Sequence, residues 1–83
     1  MARYFFDTYD DDKVIEDEIG TECRDLDAVK AVAALSLAEI ARDVLPSSIK
    51  RHLAVKVHDG PNPVLESHLI FEAIILKPEP LTA

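Results

Sequence analysis

The stretch from Asp25 to Leu45 limits the fold more than any other part of the chain. Leu26, Val29, Ala33, Leu37, Ile40 and Val44 recur in it at spacings of three and four. That period puts them on one stripe of an α-helix. Asp25 is placed to cap the first turn, and Asp27 suits the positive end of the helix dipole. Pro46 cannot continue the helix and biases Leu45 away from helical geometry. An amphipathic helix of this length needs a partner surface, and the segments on both sides of it read as strands. On the reverse side, Ala28, Val32 and Leu35 form a second, weaker apolar line with no neighbour assigned by the pattern.

Upstream, Arg3 to Thr8 is aromatic and β-branched, Tyr9 to Asp12 is a turn rich in aspartate, and Lys13 to Asp17 resumes a strand that Gly20 ends. Charge suggests a register that sets Arg3 opposite Asp17, Asp7 opposite Lys13 and Phe5 opposite Ile15. Such pairs contribute a few tenths of a kcal/mol each. In that register Tyr4, Phe6 and Val14 face the core, and Phe5 and Ile15 face outward.

Here the sequence resembles a known family. Arg-Tyr-Phe-Phe-Asp at 3–7, Asp17, Gly-Thr-Glu at 20–22 and Asp25 carry the likeness. So do the alanine-rich helix ending Ala-Arg-Asp at 41–43 and Leu-Ala-Val-Lys-Val at 53–57. Together these resemble the short alphaproteobacterial, often rhizobial, proteins grouped as domain of unknown function 6894. The chain departs from that pattern at Cys23, where an apolar residue is expected, and in its first turn, where glycine is usual. The resemblance implies a fold and brings no established activity.

Downstream, Leu53 to His58 alternates, with Leu53, Val55 and Val57 inward. Asp59 to Pro63 is a turn. A long strand is expected from Val64 to Leu76, with Leu65, Leu69 and Phe71 inward and His68, Ile70 and Ile74 outward. Two registers fit this hairpin. One sets Lys56 opposite Glu66 and Lys50 opposite Glu72; the other sets His58 opposite Glu66 and His52 opposite Glu72.

The elements predict an α+β domain, ββαββ, spanning residues 1–77, with a loose tail over 78–83. If the helix crosses right-handedly over the first strand, the four-stranded antiparallel sheet has the order 2-1-3-4, with the helix on one face. A chain of 83 residues buries a modest core, so association is a common supplement to its stability.

Sixteen acidic against nine basic residues give a net charge of −7. That balance argues against nucleic acid and anionic membranes as partners, because both require clustered Lys and Arg. No apolar run reaches the roughly 20 residues of a membrane span, and no signal-peptide pattern opens the chain. The lone Cys23 cannot form an internal disulfide. The cytoplasm is the expected location.

Candidate chemistry is sparse. Asp7, Asp10, Asp11 and Asp12 could hold a hard cation, but the spacing fails an EF-hand at the position that needs glycine, and a solvated turn is preferred. His52 and His58 lie about 20 Å apart along one strand, too far for one zinc ion. Cys23 precedes a helix N-terminus, but the resemblance implies an apolar slot there, so structural filler is the preferred reading over a nucleophile. The only glycines are Gly20 and Gly60, which excludes a glycine-rich phosphate loop.

The expected function is therefore a non-enzymatic protein-interaction or regulatory domain acting as a homodimer, with no cofactor or metal. Its candidate surfaces are Phe5, Ile15 and Ile70 on the open sheet face and Val32 and Leu35 on the helix back. Two alternatives remain open at this point. One is a small metal- or thiol-dependent enzyme using the acidic turn or Cys23; the other is an acidic, antitoxin-like partner of a basic protein.

Overall fold

A computed structural model describes residues 1–77. The expected tail at 78–83 lies outside the described residues. Strand β1 spans Ala2–Asp10, β2 Lys13–Ile15, β3 Thr21–Cys23, helix α1 Leu26–Val44, β4 Lys50–His58 and β5 Pro63–Glu72. The fold is α+β with a five-stranded antiparallel sheet and one long helix. The path β2-β1-β4-β5 is the order expected for the four strands read from the sequence, and β3 adds a fifth strand on β1. Its three residues are too few to show alternation in the sequence.

The helix forms as its stripe dictates. Asp25 caps it by accepting from the Ala28 amide at 2.8 Å. Val29, Ala33 and Leu37 are buried, and Ile40 and Val44 pack at the margin. Leu26, one turn before the packed part, stays 58% exposed instead of joining the stripe. A short 3₁₀ turn, Leu45–Ser47, follows with Pro46 inside it, and the Ser48 hydroxyl donates to the free Val44 carbonyl at 2.6 Å. Across from the stripe lie Leu53, Val55 and Val57 of β4, all but inaccessible, with Phe6 and Cys23 closing the core. Leu65 and Leu69 of β5 border it.

The second hairpin takes the register with Lys56 opposite Glu66 and Lys50 opposite Glu72. A bulge between Val57 and His58 then sets His58 opposite Pro63. Strand β5 ends at Glu72, short of the expected Leu76, although the Ala73 amide still donates to the Ile49 carbonyl at 2.7 Å.

The first hairpin departs from expectation. Thr8 lies opposite Ile15, Tyr9 opposite Val14 and Asp10 opposite Lys13. The turn is the two residues Asp11 and Asp12, with Asp11 at a left-handed φ of 54°. Aspartate tolerates that conformation. The offset from the charge-based register is odd, so the faces of β2 are exchanged. Val14 leaves the expected core position for the open face and is 48% exposed. Ile15 joins the helix-bearing face, yet is 71% exposed at the sheet margin. Turn geometry outweighs ion pairs worth tenths of a kcal/mol at a solvated edge.

Between β2 and β3 the chain leaves the ladder, and the side chain of Asp17 replaces it. One carboxylate oxygen accepts from the Phe6 amide at 3.0 Å; the other accepts from the Ile19 and Gly20 amides at 3.1 and 3.0 Å. The Asp17 amide in turn donates to the Asp7 carboxylate at 2.9 Å. Gly20 completes the return. Its φ is +80°, and a Cβ there would sit 2.9 Å from Arg3 Cγ and 3.0 Å from the Tyr4 carbonyl oxygen.

Two outcomes follow for stability. Burial alone would raise the Asp17 carboxyl, but the amides of Gly20, Phe6 and Ile19, with the charge on His58, hold it below the usual carboxylate value. A lowered folded value means that this stabilisation is complete above the unfolded value of about 3.9 and is lost as pH falls through the folded one. In urea denaturation Asp17→Asn is expected to be less stable by about 2 kcal/mol near neutral pH. The gap to the parent protein should narrow below about pH 4; a gap that stays constant down to about pH 2 would contradict the role given to the carboxylate. Gly20→Ala should cost about 2 kcal/mol or more, since the left-handed backbone and the Tyr4 carbonyl both oppose a Cβ. An unchanged urea midpoint would refute it.

Candidate functional site

Strand alternation assigns the side chains of the open face. Phe5, Asp7 and Tyr9 of β1 lie beside His58, Lys56 and Ala54 of β4, and β5 continues the last two rows with Glu66 and His68. His52 and Ile70 form the next row. The result is a polar, aromatic surface with a small apolar floor.

Its contacts are specific. The Phe5 and His58 rings stack, with centroids 5.4 Å apart. His58 Nε2 lies 3.0 Å from the Asp7 carboxylate and its Nδ1 2.8 Å from the Gly60 carbonyl. Lys56 Nζ sits 4.5 Å from the centre of the Tyr9 ring, a cation–π contact. His52 Nε2 is 2.8 Å from His68 Nδ1, and His68 Nε2 is 2.9 Å from Glu66 Oε1. The carboxylate only accepts, so in the neutral rings His68 donates to Glu66 and receives from His52. The hydrogen bond from His68 holds the Glu66 carboxyl below its usual value against partial desolvation, aided by the charges of Lys56 and His68. Ala54, only 2% exposed, floors a depression of about 100 Å³ bordered by Tyr9, Asp11, His52, Lys56 and His68.

At the far end of the helix-bearing face, Arg51 grips Asp10 with two parallel bonds. Nε donates to Oδ1 at 2.7 Å and Nη2 to Oδ2 at 2.8 Å, while Nη1 donates to the Ser48 hydroxyl at 3.0 Å. This fork ties the end of β1 to the segment joining α1 and β4. The hydrogen bond from Arg51 lowers the Asp10 carboxyl; desolvation opposes it, and the charges of Arg51 and Lys13 add to it.

The candidate residues are distributed as follows. Phe5 and Ile70 both lie on the open face, but at opposite ends, separated by the rows of Lys56 and Ala54. Ile15 lies on the other face. Val32 is half-buried against the core, whereas Leu35 is 65% exposed. The five are therefore not brought into one patch. The acidic turn is likewise dispersed: Asp7 receives from Asp17 and faces His58, Asp10 holds Arg51, and Asp11 accepts from the His52 amide at 3.0 Å. Among the described residues no three His, Cys, Asp or Glu side chains converge on a common point for a metal ion. Cys23 is buried, 5% exposed, in the apolar slot that the helix and β1 enclose.

Sequence reasoning missed the Arg51–Asp10 fork and the His52–His68–Glu66 chain. The fork joins residues 41 apart, with no local signal. The histidine pair is diagonal across β4 and β5, and it becomes visible only once the register is known. A further missed feature is a shallow apolar groove on the helix-bearing side of β5, bordered by Ala38, Ala41, Leu45, Pro46 and Phe71, with Arg42 at its margin.

Fold and surface together define a small ββαββ domain with an added edge strand, a polar open face and an apolar groove. The family model described as domain of unknown function DUF6894 matches residues 3–69, and the chain belongs to that family. Comparison with curated proteins and with solved structures gave no match. No helix among the described residues is long and apolar enough to cross a membrane.

The fork gives a prediction that separates geometry from charge. Arg51→Lys keeps the charge but cannot bond both carboxylate oxygens in parallel. Its urea midpoint should fall by most of the drop seen in Arg51→Ala. A double-mutant cycle with Asp10→Asn should give a stabilising coupling; coupling near zero would refute the fork as a stabilising link.

Proposed function

We propose that this chain is a non-enzymatic protein-interaction or regulatory domain that acts as a homodimer in the cytoplasm. One observation carries the reading. Large aliphatic side chains are left in water at the end of the last strand and just beyond it: Ile70, Ile74 and Ile75 are each more than 70% exposed and Leu76 is 92% exposed. Burying such a run in a second molecule recovers about 25 cal/mol for each Å² of apolar surface removed from water. The small core, a handful of buried side chains, adds to the benefit of association.

The polar groups support an interaction role over catalysis. Asp7, Asp10, Asp11 and Asp17 are committed to hydrogen bonds that hold the fold, and Cys23 is enclosed in the core. The depression on the open face is too small to surround a substrate of ordinary size. A free, buried thiol suits a reducing compartment.

Sedimentation equilibrium at micromolar concentration tests the reading directly. The expected mass is twice that of the 9.2 kDa chain. A single monomeric species across that concentration range would overturn the homodimer.

A further inference from the structure

The two edges of the sheet are managed differently. Along β1, the outer edge is occupied by β3, the Asp17 carboxylate and β2 in turn. Along β5, no strand pairs with the outer edge among the described residues. Proteins commonly blunt a long free edge with Lys, with an internal Pro or with a bulge that twists the edge away. Strand β5 has ten residues and no Lys, Arg or Gly; its one proline, Pro63, is at its first position, and its bulge, at Val64, lies beside it at the hairpin end, so Leu65 to Glu72 form a regular edge. The edge is thus open to another strand.

Backbone phase shows which residues would make that pairing. The bond from the Ala73 amide to the Ile49 carbonyl lies in the β4–β5 register, so it marks a hydrogen-bonded pair. Such pairs alternate along an antiparallel ladder. Phe71, Leu69 and Ser67 therefore direct their backbone groups toward β4. Glu66, His68 and Ile70 direct theirs outward.

We propose that β5 pairs antiparallel with β5 of a second copy, about a two-fold axis at Ser67, joining the two sheets into one. The proposal rests on the homodimer reading and names its surface. In this register Glu66 faces His68 of the second copy, and His68 faces its Glu66. Leu65 faces Leu69. Centring the axis on His68 would set His68 against itself and Glu66 against Ile70; centring it on Glu66 would oppose two carboxylates. Of the three, only the register centred on Ser67 sets neither like carboxylates nor like rings against each other, which selects it.

The helix-bearing side supplies a second, independent argument. The apolar groove formed by Ala38, Ala41, Leu45, Pro46 and Phe71 opens at this same edge. Helix α1 packs over β4 and β5. With strands about 4.8 Å apart, a two-fold axis through the seam brings the two helices to roughly 10 Å, an ordinary packing distance. The second copy's helix then covers the groove. Small side chains at Ala38 and Ala41 permit that approach.

The test uses charge variants of the full chain. His68→Glu sets two carboxylates opposite one another at each end of the seam. Glu66→Lys with His68→Lys does the same with two ammonium groups. Each variant alone should self-associate about tenfold more weakly than the parent in sedimentation. An equimolar mixture of the two should regain the dimer, which a misfolded variant could not do. Ser67→Cys provides a positional check: facing residues in a non-hydrogen-bonded pair have Cα atoms about 4.5 Å apart, within disulfide reach, so mild oxidation should cross-link that variant. If the parent is dimeric but both charge variants dimerise as well as it does, or the Ser67→Cys variant fails to cross-link, the edge proposal is overturned and the homodimer stands. A monomeric parent overturns both.

Discussion

A strand that must accept two partners along one edge leaves a gap where the first partner ends and the second begins. In this protein Asp17 fills that gap. Its carboxylate takes the Phe6 amide that β2 and β3 both leave free, and it fixes the Ile19 and Gly20 amides that turn the chain back. An unpaired amide in a half-buried position costs about as much as a lost hydrogen bond. The placement of β3, the burial of Cys23 and the starting point of α1 all depend on this one side chain. Phe6, whose ring belongs to the core, is held by the same contact.

The sequence exposes those features in which a long pattern leaves few choices. The helix stripe runs for several turns, and an error of one residue would bury charge. The aliphatic face of β4 is similarly unambiguous, because Leu53, Val55 and Val57 alternate with His52, Lys56 and His58. What cannot be read is what depends on a few residues. Strand β3 is three residues long, and its position follows from Asp17, whose side-chain role no local pattern in the sequence reveals. In the first hairpin, charges at a solvated edge point to one register, and the two-residue turn at Asp11 and Asp12 is the stronger determinant.

The candidate surface is legible in part for the same reason. Alternation identifies Ile70 and His68 as outward, and their placement on the open face agrees with it. The exchange of Val14 and Ile15 comes entirely from the slipped register. The reverse side of the helix shows a different limit. An angular reading places Val32 far from the stripe, yet Val32 packs at the core margin. Leu35, further round, remains in water. Long-range polar contacts such as Arg51 with Asp10 are set by topology, which juxtaposes the end of β1 and the start of β4.

The single buried sulfur has a practical consequence. Cys23 ends β3, a three-residue edge strand, opposite Ala2, and it is also part of the main core. A thiol-specific reagent reaches it only when that edge opens or the whole domain unfolds. Its labelling rate, compared with the global unfolding equilibrium, therefore distinguishes a local, subglobal opening from complete unfolding. The chain carries a built-in probe of how tightly this short strand is held, and using it requires no engineered residue.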